Sequence, residues 1–269
     1  MSKQYQELFE PATLAPEAVL SRKERKKYFG KIVVTETATK NAVYYSVALN
    51  DDLFADERLK THASNEVRDV LQTFFDRYGI ERGDKVLVAG LGNEKVTPDK
   101  LGCAVCDRLL VTAHLYKTPA VSTRYGNLAA VKCGVSGTTG VESNDLLRAV
   151  VSSEKPKIVL VVDALACGRT ERLAKVVQCS DAGMEPGGGV DNAKPILRES
   201  SLGVPVVAIG VPTVMYARKI LAEFCHGDFS ESEALKTLTV AAKEIDYQIR
   251  DYADVIAEAI NAAVHGKEK

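Results

Sequence analysis

The sequence predicts an α/β fold. It has three layers (α/β/α) around a mostly parallel central sheet of the phosphorylase/hydrolase type, with an N-terminal hairpin and C-terminal helices. Three observations predict this. Continuous apolar runs recur at KVLVAGL (85–91), KIVLVVDAL (157–165) and VPVVAIGV (204–211), as expected of strands buried on both faces. Segments with apolar residues at helical spacing alternate with them, which sets helices on both sides of a parallel sheet. Finally, 269 residues at 46% hydrophobic and 26% charged are enough chain for one large core.

Residues 1–30 read as a peripheral segment and 31–269 as a single α/β domain. The run SRKERKK (21–27) reads as a solvated helix face or linker, with contact to an acidic partner as the alternative. KIVVTETA and VYYSVALN, separated by ATKN, form a hairpin. A helix follows, with Val67, Val70, Leu71, Phe74, Phe75 and Tyr78 on one face and Gly79 as its stop. After strand 85–91, Thr97, Pro98 and Asp99 open a helix predicted to reach about Tyr116. NLAAVKC is a strand, GVSGTTG a Gly-rich loop, and SNDLLRAVVSS a helix capped by Ser143 or Asn144. Strand 157–165 follows, then a short strand within 174–183 and the loop MEPGGGVDN (184–192). Pro212 is expected to open a helix to about Cys225, and the tail to form two amphipathic helices.

Lys plus Arg is 35 and Asp plus Glu is 36, so no global field favours nucleic acid or an anionic membrane as a partner. The longest apolar run, 158–162, is far too short for a membrane span, and MSKQYQELFE lacks the apolar core of a signal peptide. A cytoplasmic location is expected, and the six cysteines fit reduced thiols. Cys103 and Cys106 form C-x-x-C, but inside a helical pattern with no second pair, so packing is the better reading.

In a parallel sheet the active crevice lies beyond the carboxyl ends of the strands. GLGNEKVTPD, DALACGRT and SDAGMEPGGGVDN are expected to cluster there, with GVSGTTG beside them. GLG at 90–92 fails as a dinucleotide fingerprint because Lys95 stands where the third Gly belongs, and it reads instead as a tight turn. No G-x-S-x-G is present, and His62, His114, His226 and His265 do not fall at central strand ends. Two carboxylates remain. Asp99 and Asp163 each follow a central strand at its carboxyl end. If those strands are neighbours, one acid can hold a proton while the other activates water, as peptide hydrolysis requires. Taken alone, Asp99 is also an ordinary first-turn helix acid. The same pair with Glu185 or Asp181 could hold a divalent cation through oxygen donors. A structural zinc site has no His/Cys set to support it.

GLGNEKVTPDKLG with LLVTAHL, GVSGTTGVESND, VDALACGRTERL, QCSDAGMEPGGGVDN and SLGVPVVAIGVPTV, in this order, resemble the germination protease family of spore-forming bacteria. The resemblance covers about residues 80–220 and resumes at EIDYQIRDYADVIAEAINAAVH. It implies a fold related to the hydrogenase-maturation proteases. It also implies a homotetrameric endopeptidase made as a zymogen, acting in the forespore and spore core on small acid-soluble spore proteins. The implied chemistry is aspartic-type hydrolysis by Asp99 and Asp163, with no cofactor required and a divalent metal at the acidic pair as the alternative. The sequence also departs from the family. No propeptide is recognisable in residues 1–30, an insertion is largely missing around 226–240, and Ala182 and Glu185 replace the usual Thr and His. Two alternatives follow: a non-catalytic sporulation protein on the same scaffold, and a metal-sensing maturation-type protease.

Overall fold

The computed structural model describes residues 19–53, 56–117, 125–185, 196–225, 235 and 237–266. An antiparallel ribbon opens the described chain: β1 (Val19–Lys27), β2 (Ile32–Thr39) and β3 (Val43–Leu49) pair in sequence. The β2–β3 hairpin is the one expected from the two runs KIVVTETA and VYYSVALN. β1 corrects the reading of SRKERKK. With no apolar stripe to bury, this run gains nothing as a helix, and instead it extends the sheet from β2. Its partners include the Lys23–Glu36 and Lys27–Glu66 ion pairs.

Helix α1 (Glu57–Tyr78) starts where Asp56 accepts the N–H groups of Arg58 and Leu59, and it ends at Gly79 with φ of 60°. Four parallel strands form the centre: β4 (Lys85–Leu91), β5 (Asn127–Gly134), β6 (Ile158–Cys167) and β8 (Val206–Tyr216). Between β3 and β8 lies β7 (Val176–Ser180), antiparallel to both. The order is β1-β2-β3-β7-β8-β6-β4-β5, and β9 (Thr239–Ala241) pairs with the end of β8.

Helices cover both faces. On one, α1, α2 (Leu101–Cys106) and α7 (Ile245–His265) bury Phe74, Leu101 and Ile256 against Leu160 and Val207. On the other, α4 (Ser143–Glu154) buries Leu147 and Val151 against Leu87, Val159 and Val161. The short helices α3 (Ser136–Thr139), α5 (Glu199–Leu202) and α6 (Ala217–Phe224) complete the set among the described residues.

Several boundaries differ from the expected ones. The helix expected to reach Tyr116 stops at Cys106, because Thr112 is drawn into the sheet: its N–H donates to Leu128 O and its hydroxyl to Gly126 O. Pro212 sits inside β8 rather than opening a helix. It pairs with Leu165, the register slips after it, and its carbonyl accepts Ala174 N–H. A bulge of this kind tolerates the missing proline donor. The described part of the tail gives β9 and one long helix, α7.

Candidate functional site

Strand direction decides which segments meet. β4, β5, β6 and β8 share one carboxyl end, so GLGNEKVTPD, GVSGTTG and the chain after Asp163 gather there as expected. SDAGMEPGGGVDN does not start there. Because β7 runs antiparallel to β8, its last residue Ser180 stands beside Ala208 and the chain leaves toward the amino ends of the parallel strands. Asp181 is held at that far end. Its carboxylate accepts Val43 N–H at 2.7 Å and the Tyr78 hydroxyl at 3.1 Å, and pairs with Arg77 at 3.1 Å. Burial and the Asp181 charge push the Tyr78 hydroxyl up to about 12. Asp181 is therefore a structural anchor and not a third ligand beside Asp99 and Asp163. Glu185 follows Met184, which bridges Leu197. Residues 186–192 of the Gly-rich loop, and His226, lie outside the described residues.

Asp99 and Asp163 are each 2% exposed. Asp163 pairs with Gly210 of β8, and Val162 pairs with Gly90 of β4, so Asp163 stands level with Leu91 on the neighbouring strand. Asp99 lies beside Gly92, one residue beyond that level. It closes a short 3-10 turn (Thr97–Asp99), and its Oδ2 accepts Asn93 N–H at 2.8 Å. Asp163 thus lies within β6, which runs on to Cys167, and the turn carrying Asp99 approaches β6 from the end of the neighbouring parallel strand β4. Ala164 N–H donates to Asp163 Oδ1 at 2.9 Å.

Three glycines make this approach possible. A Cβ on Gly92 (φ 94°) would lie 1.9 Å from Asp99 O. A Cβ on Gly90 would lie 2.3 Å from Gly102 O, and one on Gly102 would lie 2.3 Å from Val162 O. Gly92 is the turn glycine that GLG suggested. The packing of Gly90 on Gly102 was not anticipated, although a glycine inside an apolar strand signals a close backbone approach.

Thiols pack around the acids. The Cys103 thiol donates to Gly92 O and the Cys106 thiol to Val131 O, both at 3.7 Å. Burial pushes Cys103 up to about 11, with Asp99 among the charges that add to it. Burial pushes Cys133 to about 12, with Cys106, Cys103 and Asp163 adding. The C-x-x-C is thus packed, protonated sulfur. Among the described residues no group of three His, Cys, Asp or Glu is placed to hold a metal ion. Of the described histidines, His62 stacks on Tyr28 and His265 meets Leu110 O, and His114 lies in a 3-10 turn (Ala113–Lys117) that precedes β5. No described helix is long and apolar enough to cross a membrane.

Residues 25–226 match the family described as germination protease, peptidase A25. The chain belongs to the germination protease family. A germination protease of Caldanaerobacter subterraneus subsp. tengcongensis is 35% identical over 249 residues, covering 80% of this chain and 75% of that protein. One from Bacillus cytotoxicus is 32% identical over 256 residues, 71% of this chain and 70% of that protein. One from Bacillus licheniformis is 43% identical over 153 residues, 56% of this chain and 42% of that protein. The chain spans between 41% and 75% of the length of such relatives. Among solved structures, a [NiFe] hydrogenase maturation protease, HycI of Thermococcus kodakarensis KOD1, aligns over 71% of this chain and 98% of that chain. Its identity is 21% and its TM-score 0.39, too distant to bear on function.

Proposed function

We propose that this member of the germination protease family is an endopeptidase. Its substrates are small acid-soluble spore proteins, cleaved in the spore at germination. The resemblance also implies a homotetramer and zymogen processing, which belong to the same proposal. The observation that supports this chemistry is that Asp99 and Asp163 are both nearly fully buried, Asp163 within β6 and Asp99 in the turn that follows the neighbouring parallel strand β4.

Two carboxyls in one site hold a proton between them most readily when one is ionised and the other is not. The ionised carboxylate takes a proton from a water molecule as its oxygen attacks the scissile carbonyl carbon. The protonated carboxyl donates to the leaving nitrogen as the C–N bond breaks. Water is thereby divided between the two products, and the pair exchanges roles. The backbone N–H groups of Ser136 and Gly137, in the segment that follows β5 at the same end of the sheet, are the candidates for stabilising the tetrahedral oxyanion.

The test is cleavage of a purified small acid-soluble spore protein by wild type, Asp99→Asn and Asp163→Asn, with folding confirmed by circular dichroism. Loss of cleavage in both variants supports the pair. Unchanged cleavage in both removes it. A wild type inactive at every pH, with the crevice still binding its target, favours the non-catalytic reading.

A further inference from the structure

We infer that the outer edge of β1 is a docking site for an acidic stretch of polypeptide, which adds to the sheet as a further strand. This goes beyond the peptidase reading and does not depend on it.

The geometry begins with the edge. β1 is the first strand in the sheet order and pairs only with β2, so among the described residues its other row of backbone N–H and C=O groups has no strand partner. Such a row is a template for another extended chain.

Charge selects the occupant. Arg22, Lys23, Arg25, Lys26 and Lys27 crowd around the single acid Glu24. Lys23 and Lys27 are neutralised by Glu36 at 3.9 Å and Glu66 at 3.6 Å, which leaves Arg22, Arg25 and Lys26 in excess. A second copy of β1 laid across this edge would set cations opposite cations, which is unfavourable, whereas an acidic strand gains from the same register. Nucleic acid fits less well. The interleaved Glu24, Glu36 and Glu66 dilute the field that a polyphosphate needs, and the whole chain carries a net charge of −1.

Lysines on an edge strand are by themselves an ordinary guard against unwanted pairing. The apolar residues at its two ends are not explained that way. At one end, Tyr28 and Phe29 take left-handed conformations, with φ of 43° and 54°. The turn is pinned from below, where the Tyr28 ring stacks on His62 at 4.1 Å and its hydroxyl meets Asp56 at 3.5 Å. That fixed turn holds Phe29 98% exposed. At the other end, Leu20 is skipped by the register shift and is 62% exposed. An aromatic held out by a pinned turn, beside a cationic and unpaired edge, is arranged for capture of an extended chain.

The experiment is fluorescence anisotropy with the full chain and four labelled probes. These are a decapeptide of alternating Glu and Val ending in Leu, the same peptide with Lys for Glu, an acidic peptide of equal charge interrupted by three prolines, and a single-stranded oligonucleotide of equal charge. Mass spectrometry confirms that each probe is intact. The acidic decapeptide is expected to bind, and the Lys and proline peptides are not. Phe29→Ser, and separately Arg22→Glu with Lys26→Glu, are each expected to weaken binding about tenfold. Both changes sit on exposed side chains, and circular dichroism checks that the fold is unaltered. Equal binding of the proline peptide, tighter binding of the oligonucleotide, no binding of the acidic decapeptide, or binding indifferent to both variants would each overturn the inference.

Discussion

The backbone N–H of Asn93 donates to Asp99 Oδ2 at 2.8 Å, so the chain leaving β4 holds the carboxylate that the next turn supplies. The hold depends on Gly92, which takes φ of 94° and would place a Cβ 1.9 Å from Asp99 O. Gly92→Ala is expected to destabilise the fold by about 3 kcal/mol or more, through backbone strain and the clash together. It should also lower cleavage by more than the loss of folded protein accounts for. Urea unfolding beside activity per folded molecule checks both.

Asp181 anchors the far end of the sheet. Asp181→Ala leaves Val43 N–H and the Tyr78 hydroxyl without their acceptor. We expect a loss of about 2–3 kcal/mol in urea unfolding. Because Asp181 is remote from Asp99 and Asp163, the variant should take up divalent cations as the wild type does, read by isothermal titration. A changed cation affinity would contradict this placement.

The buried thiols set an alkaline limit. The folded chain holds Cys103 near 11 and Cys106, Cys133 and Cys179 near 12, against an ordinary 9.0. The unfolded chain therefore releases these protons first. The stabilisation is complete below pH 9 and fades as pH rises from 9 toward 12. The urea midpoint should fall between pH 8 and pH 10.5. At pH 8 a thiol reagent should label Cys225 quickly, the one exposed cysteine, and the buried five only after unfolding.

Lys60 and Asp251 join α1 to α7 through an ion pair at 3.0 Å, with side chains 15% and 1% exposed. Lys60→Met leaves the buried carboxylate with only the more distant Arg250 Nε at 3.7 Å and is expected to lose about 2–3 kcal/mol. Adding Asp251→Leu should recover most of that loss. A double-mutant cycle in urea measures the coupling.

Much of this architecture was legible in the residues. The runs at 85–91 and 157–165 are apolar on both faces, and that requires a covered parallel sheet. Asp99 and Asp163 stood out because the crevice of such a sheet opens at its carboxyl ends, but the sequence did not show that β6 runs on past Asp163 to Cys167. Orientation was not legible. VVQCS has the composition of a buried strand whichever way it runs, so only pairing with β3 and β8 reveals that Asp181 leaves at the wrong end for the acid site. SRKERKK carries no periodicity at all, so its strand is dictated by β2 alone. Pro212 reads as a helix start because the sequence does not show the register slip that accommodates it.

The central claim is that Asp99 and Asp163 act together on one water molecule. The most direct measurement is single-turnover cleavage of a small acid-soluble spore protein by wild type, Asp99→Asn, Asp163→Asn and the double variant, each shown to be folded. The account predicts that either single change lowers the rate by at least about a thousandfold and that the double variant is scarcely worse, because the two groups act as a unit. Single variants with near-wild-type rates, or losses that multiply in the double variant, would contradict it.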